Sequence, residues 1–77
     1  MNETPEGIEV VTGQLWRDLD KRMRGRVCRV GKVAHGKAQM FTMVNGQAGK
    51  FTMVSIRRMR KTSTGWALVE QPSKGQP

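Results

Sequence analysis

Apolar and polar residues alternate in short stretches of the chain, as at Cys28-Arg29-Val30 and at Ala38-Gln39-Met40. A period of two sends successive side chains to opposite faces of a strand. Five segments are predicted as strands: 13–18, 25–34, 37–44, 50–56 and 66–70. In the first, Leu15 is expected to point inward and Trp16 to the other side. In the second, Cys28 and Val30 share a face, but Val33 has the opposite parity. Gly31, between them, predicts a bulge that returns Val33 to the core.

The breaks between strands have their own signals. His35-Gly36 and Asn45-Gly46 predict hairpin turns, the second extending through Gln47-Ala48-Gly49. Residues 18–25 lack alternation and read as a long excursion loop. Arg57-Arg58-Met59-Arg60-Lys61 predicts a single 3₁₀ turn, followed by a turn at Thr62-Ser63-Thr64-Gly65. The tetrapeptide Phe-Thr-Met-Val occurs at 41–44 and again at 51–54. Paired strands favour similar aromatic and β-branched residues, and the echo is too short for a solenoid. The expected core is Leu15, Cys28, Val30, Val33, Ala38, Met40, Val54, Ile56, Met59 and Leu68, with one tryptophan partly buried.

Length sets the scale of this fold. Seventy-seven residues make one domain at most, with a small core and little room for a deep cleft. Residues 1–12 hold Glu3, Glu6 and Glu9 with Pro5 and Gly7, and are expected to form a flexible acidic arm, with a short edge strand at Ile8-Glu9-Val10-Val11 as the alternative. Residues 13–70 form the domain, and 71–77 read as a disordered tail. Neither a membrane-spanning apolar run nor a secretory leader pattern is visible, so a soluble, cytoplasmic protein is expected.

Charge sharpens the picture. The net charge is +8, and from Gln14 to Lys61 thirteen Lys and Arg face only Asp18 and Asp20, a local charge of +11. Such a field attracts polyanions. The cations fall into three clusters: Arg17, Lys21, Arg22 and Arg24; Arg26, Arg29 and Lys32; and Arg57, Arg58, Arg60 and Lys61. Eight of these eleven are arginine, which suits bidentate contacts to phosphate or carboxylate. Trp16 and Trp66 offer stacking surface beside them, against the alternative that they are core. Phe41 and Phe51, if both face outward, form an apolar patch suited to a protein interface or a dimer.

Catalytic chemistry finds little support. There is no phosphate loop, no nucleophile elbow and no His-Glu-x-x-His helix. One cysteine, Cys28, and one histidine, His35, cannot build a zinc site within one chain. A buried Cys28 is expected to act as a small hydrophobe. Asp18 and Asp20 are expected to offset nearby cations or to form a turn.

The predicted order is a strand, a long loop, three strands joined by short turns, a one-turn helix and a last strand. That order resembles the SH3-like barrel, as in Tudor and KOW-type modules. The resemblance implies an all-β, five-stranded barrel whose closure protects the sheet edges. A second resemblance rests on Gly13-Gln14-Leu15-Trp16-Arg17-Asp18, Arg22, Gly25-Arg26, Arg29-Val30, Arg58-Met59-Arg60 and Thr62-Ser63-Thr64-Gly65-Trp66-Ala67-Leu68-Val69. These residues resemble a pattern of short uncharacterised phage and bacterial proteins. That likeness implies a phage-related origin and carries no functional residues.

The leading expectation is a non-enzymatic module that binds DNA or RNA mainly through phosphates. Its expected contacts are Arg17, Lys21, Arg22, Arg24, Arg26, Arg57, Arg58, Arg60, Lys61 and Trp16, with no metal and no cofactor. In an SH3-like arrangement the first and third clusters can merge into one patch. The alternative is an interaction module that binds an acidic protein of a host or virion, as a monomer or weak homodimer.

Overall fold

The computed structural model describes residues 2–72. Five strands are present: β1 (Leu15–Asp18), β2 (Val27–Ala34), β3 (Lys37–Val44), β4 (Gln47–Ser55) and β5 (Trp66–Glu70). All pair antiparallel in one sheet of order β4-β3-β2-β1-β5. No pairing joins β4 to β5 among the described residues, so the sheet stays open. The closed barrel expected from the strand order is therefore not formed. Of β4, residues 47–53 are exposed.

The hairpin turns follow from their residues. His35 and Gly36 have φ of 55° and 72°, and Asn45 and Gly46 have 52° and 81°. Two successive positive φ values define the turn whose twist matches the flanking strands. The Asn45-Gly46 turn is shorter than expected, because β4 begins directly at Gln47. The extra length is absorbed inside the hairpin, where the β3–β4 register shifts between Phe41 and Met43. The bulge predicted at Gly31 is present, with a register shift between Val30 and Val33. A Cβ at Gly31 would meet Gln39 Oε1 and Phe41 Cε2, each at 2.6 Å, so the missing side chain makes room for both. Val33 packs against the core edge.

Both loops that were expected to be irregular or basic contain a 3₁₀ turn. The 18–25 excursion holds one at Lys21–Met23, capped by Asp20, whose carboxylate accepts the Arg22 N–H. The second lies at Ile56–Arg58, one residue earlier than predicted, because Ile56 is drawn into the core.

The core comprises Val10, Trp16, Cys28, Val30, Ala38, Met40, Ile56, Met59 and Trp66, with Ile8, Val33, Val54 and Leu68 packed at its margin. Two expectations reverse here. Trp16 is 0 % exposed, while Leu15 is only half-buried on the opposite face. The indole has far more apolar surface to bury, and its N–H finds Gln14 Oε1 at 3.1 Å. Residues 2–12 are also not a free arm. Glu3 and Glu9 form an isolated bridge, Val10 enters the core at 2 % exposure, and Thr4 is buried with its hydroxyl accepting the Ile8 N–H. Residues 73–77, most of the expected tail, lie outside the described residues.

Candidate nucleic-acid interface

The predicted contact residues divide by element. Arg17 lies on β1, paired with Val27 and Ala67, and is exposed. Lys21 and Arg22 belong to the first 3₁₀ turn, and Arg24 caps it in the left-handed region at φ 53°. Arg26 precedes β2. Arg57 and Arg58 belong to the second 3₁₀ turn, with Arg60 and Lys61 just beyond it. All nine of these cations are exposed except Arg26, which is half-buried. Trp16 is fully buried and cannot stack on a ligand, so it leaves the set of contact residues.

The fold brings one arginine from each sequence cluster to one place. A cavity of about 470 Å³ opens on the core side of the sheet, and Arg22, Arg26 and Arg58 line it with Asp18, Met23 and Trp66. Lys37 lines it too, and sequence reasoning missed it. The available signal was the His35-Gly36 turn, which sets Lys37 opposite Ser55, directly before the second basic turn. Arg17, Lys21, Arg24, Arg57, Arg60 and Lys61 do not line the cavity.

Electrostatics separates these arginines into two kinds. Arg26 Nε donates to Asp18 Oδ2 at 3.0 Å, with the two side chains only 25 % and 6 % exposed. Its guanidinium carbon lies 5.6 Å from the Trp66 ring centroid, in cation–π range. Arg26 Nη1 also reaches Thr42 Oγ1 at 3.5 Å, a long contact. Arg26 is thus held by the fold. Asp18 Oδ1 accepts the Asp20 N–H at 3.0 Å, which joins the same node to the excursion loop.

Arg22 forms a fork on Asp20, with Nε at 3.1 Å from Oδ1 and Nη2 at 2.7 Å from Oδ2. That guanidinium lowers the Asp20 carboxyl pKa to about 2. Arg22 itself is raised above its ordinary value by the same partner. Among the described residues, Arg17, Arg24, Arg57, Arg58, Arg60, Lys21 and Lys61 have no ion pair.

The third cluster is shaped by backbone contacts. The Arg60 carbonyl accepts the N–H of Thr62 and of Trp66, both at 2.8 Å. Gly65 packs so tightly beneath it that a Cβ there would collide with the Arg60 carbonyl oxygen. Glu6 Oε2 accepts the Lys61 N–H at 3.1 Å, so one acid of the N-terminal segment sits beside this cluster.

The chain offers little to nucleophilic or metal chemistry. Cys28 is buried, its Sγ lies 3.9 Å from Thr42 Oγ1, and burial pushes its thiol pKa up. His35 is exposed in the first hairpin turn. Among the described residues, no three His, Cys, Asp or Glu side chains converge as a metal site. No helix there is long and apolar enough to cross a membrane.

These features define a small all-β domain, a five-stranded antiparallel sheet with a strongly basic surface. The chain belongs to a family of unknown function, DUF6354, whose model matches residues 2–77. No curated protein and no solved structure matches the chain.

Proposed function

We propose that this domain is a non-enzymatic nucleic-acid-binding module that holds its ligand mainly through phosphate contacts. The observation that carries the reading is the pairing pattern of the cations. Of the nine basic residues expected to make contact, only Arg22 and Arg26 have a carboxylate partner among the described residues. The other seven are exposed and form no ion pair there, Glu6 reaching only the backbone N–H of Lys61, in a chain of net charge +8. Arginines that serve only to solubilise gain nothing from such local concentration, whereas a polyanion gains a dense set of donors.

The strand order β4-β3-β2-β1-β5, with a 3₁₀ turn before the last strand, supports placing the module in the SH3-like class. In that arrangement the excursion loop and the second 3₁₀ turn flank the cavity, the first through Arg22 and Met23 and the second through Arg58. The contact surface we favour is Arg57, Arg58, Arg60 and Lys61, joined by Lys21 and Arg24.

The test is an anisotropy titration with labelled DNA and RNA oligomers, single- and double-stranded, at several salt concentrations. Binding should weaken steeply with salt, by roughly 0.9 in log–log slope for each phosphate neutralised on duplex DNA. Absence of binding at low salt would overturn the reading. An acidic protein captured from nuclease-treated lysate would replace it with a protein partner.

A further inference from the structure

The sheet has a second face, opposite the core, and its cross-strand register sets four residues in one row. Leu15 pairs with Arg29, Arg29 with Phe41, and Phe41 with Phe51. The row therefore runs across β1, β2, β3 and β4. Phe51 is 53 % exposed, and Met53 beside it is 51 % exposed. The two phenylalanine rings lie 5.4 Å apart at 55° to one another. They are tilted rather than stacked, with Phe41 half-buried and Phe51 the more exposed of the two. Gly31 gives Phe41 its place, since any side chain there would occupy the volume of the ring edge.

The charge of this face is mainly positive: its one acid among the described residues, Glu70, pairs with Leu15 at the β5 end, and the cations lie along β1 and β2. Arg29 lies beside Phe41 in the row, and Arg17 lies on the same face one pair along β1. Both are exposed, and neither has an ion pair among the described residues. Strands β1 to β4 contain a single acid, Asp18, and it is buried on the opposite face beneath Arg26.

We infer that this outer face is a stacking platform for the bases of single-stranded nucleic acid, with Phe51 and Phe41 as the platform and Arg29 and Arg17 as its phosphate contacts. The inference rests on the nucleic-acid reading above and names the class of ligand. Every base has a π-face that an exposed aromatic ring can cover, but a duplex keeps its base faces stacked and unavailable. Neighbouring strands are about 4.8 Å apart, so Arg29 stands roughly 10 Å from Phe51, with Phe41 between them. Charge favours a polyanion over a second copy of the chain, which would bring another +8 and another Arg29 against this face.

Three probes of equal length separate the possibilities: a labelled thymidine 20-mer, its abasic counterpart, and a DNA duplex. Each is titrated against the full chain and against Phe51→Ala, with folding checked by circular dichroism. The thymidine strand should bind about tenfold tighter than the abasic strand, since stacking on one aromatic is worth that much per base. Phe51→Ala should remove most of that advantage, while leaving abasic and duplex affinities unchanged. Phe51→Trp, with a larger ring at the same exposed position, should restore or increase it.

Equal binding of the thymidine and abasic strands would overturn the platform and leave the phosphate reading standing. So would a Phe51→Ala that weakens all three probes alike. Failure of all three probes to bind would overturn both. A Phe51-dependent dimer in sedimentation, with no base preference, would assign the face to self-association instead.

Discussion

Gln14 Oε1 accepts the Trp16 indole N–H at 3.1 Å, and both side chains are fully buried. The same oxygen accepts the Val11 N–H at 3.0 Å. On the amide's other side, Nε2 donates to the Glu9 carbonyl and to Gln71 Oε1, each at 3.0 Å. One side chain therefore saturates its own hydrogen-bonding capacity and joins three segments: residues 9–11, β1 and the chain after β5. A buried amide is costly unless it is satisfied in this way.

Gln14→Leu should be strongly destabilising although it is apolar and similar in size. It leaves the buried Trp16 indole N–H without a partner and takes the acceptor from the Val11 N–H, at about 3 kcal/mol together. In a domain of this length that lowers Tm by more than about 10 °C. Thermal melts followed by tryptophan fluorescence will measure it. A change below 2 °C would show that the node carries little of the stability.

This node also explains how far the sequence could be read. Strand existence, the Asn45-Gly46 turn and the Gly31 bulge were legible, because each depends on local pattern or local backbone preference. The inside of β1 was not. Leu15 and Trp16 are adjacent and both apolar, so parity alone allows either to face inward. The choice is made by Gln14, a polar residue whose partners lie in segments distant along the chain. Val10 was missed for a related reason. Its neighbours Glu3, Glu6 and Glu9 gave the segment the composition of a free arm, and only the tertiary contacts override that. In the basic surface, the arginine clusters were legible as charge. Which arginines were spent on Asp18 and Asp20 was set by geometry that composition does not carry.

Gly65→Ala should displace the third cluster. The added methyl would collide with the Arg60 carbonyl, which must also accept two N–H groups to close the loop. Overpacking of this kind costs about 1–3 kcal/mol. The variant should melt lower, and by the phosphate-contact reading it should also bind nucleic acid more weakly, as Arg60 and Lys61 shift. Unchanged melting together with unchanged affinity would show that the loop accommodates the methyl freely.

Acid should loosen the excursion loop before it unfolds the domain. Asp20 titrates near pH 2 in the folded chain, against an ordinary value of 3.8, because Arg22 holds its charged form. The folded pKa is depressed, so the contribution of this contact is complete above about pH 4. It is lost as pH falls from there through 2. Amide exchange or NMR shifts at Arg22 and Met23 should report that loss. Asp20→Asn should abolish the transition, and its persistence in that variant would assign it to another carboxylate.

Arg26 and Arg58 line the same cavity, and their substitutions should separate stability from binding. Arg26→Ala leaves Asp18 buried without its counter-charge and removes the cation over Trp66. Breaking a buried pair from one side costs about 3 kcal/mol, so this variant should melt far lower. Arg58 is exposed, with no carboxylate partner among the described residues, so Arg58→Ala should leave Tm within about 2 °C, as a surface substitution does. Arg58→Ala together with Arg60→Ala should instead lower affinity for duplex and single strand alike and flatten the salt slope by about one to two, one phosphate for each arginine lost. Arg26→Lys tests the geometry further: it keeps the charge but loses the planar group that reaches Asp18 and Trp66 together, so it should recover only part of the lost stability. If Arg58→Ala destabilises as much as Arg26→Ala, the second 3₁₀ turn is held by its arginines rather than by Ile56 and Met59, and the division between structural and ligand-facing arginines fails.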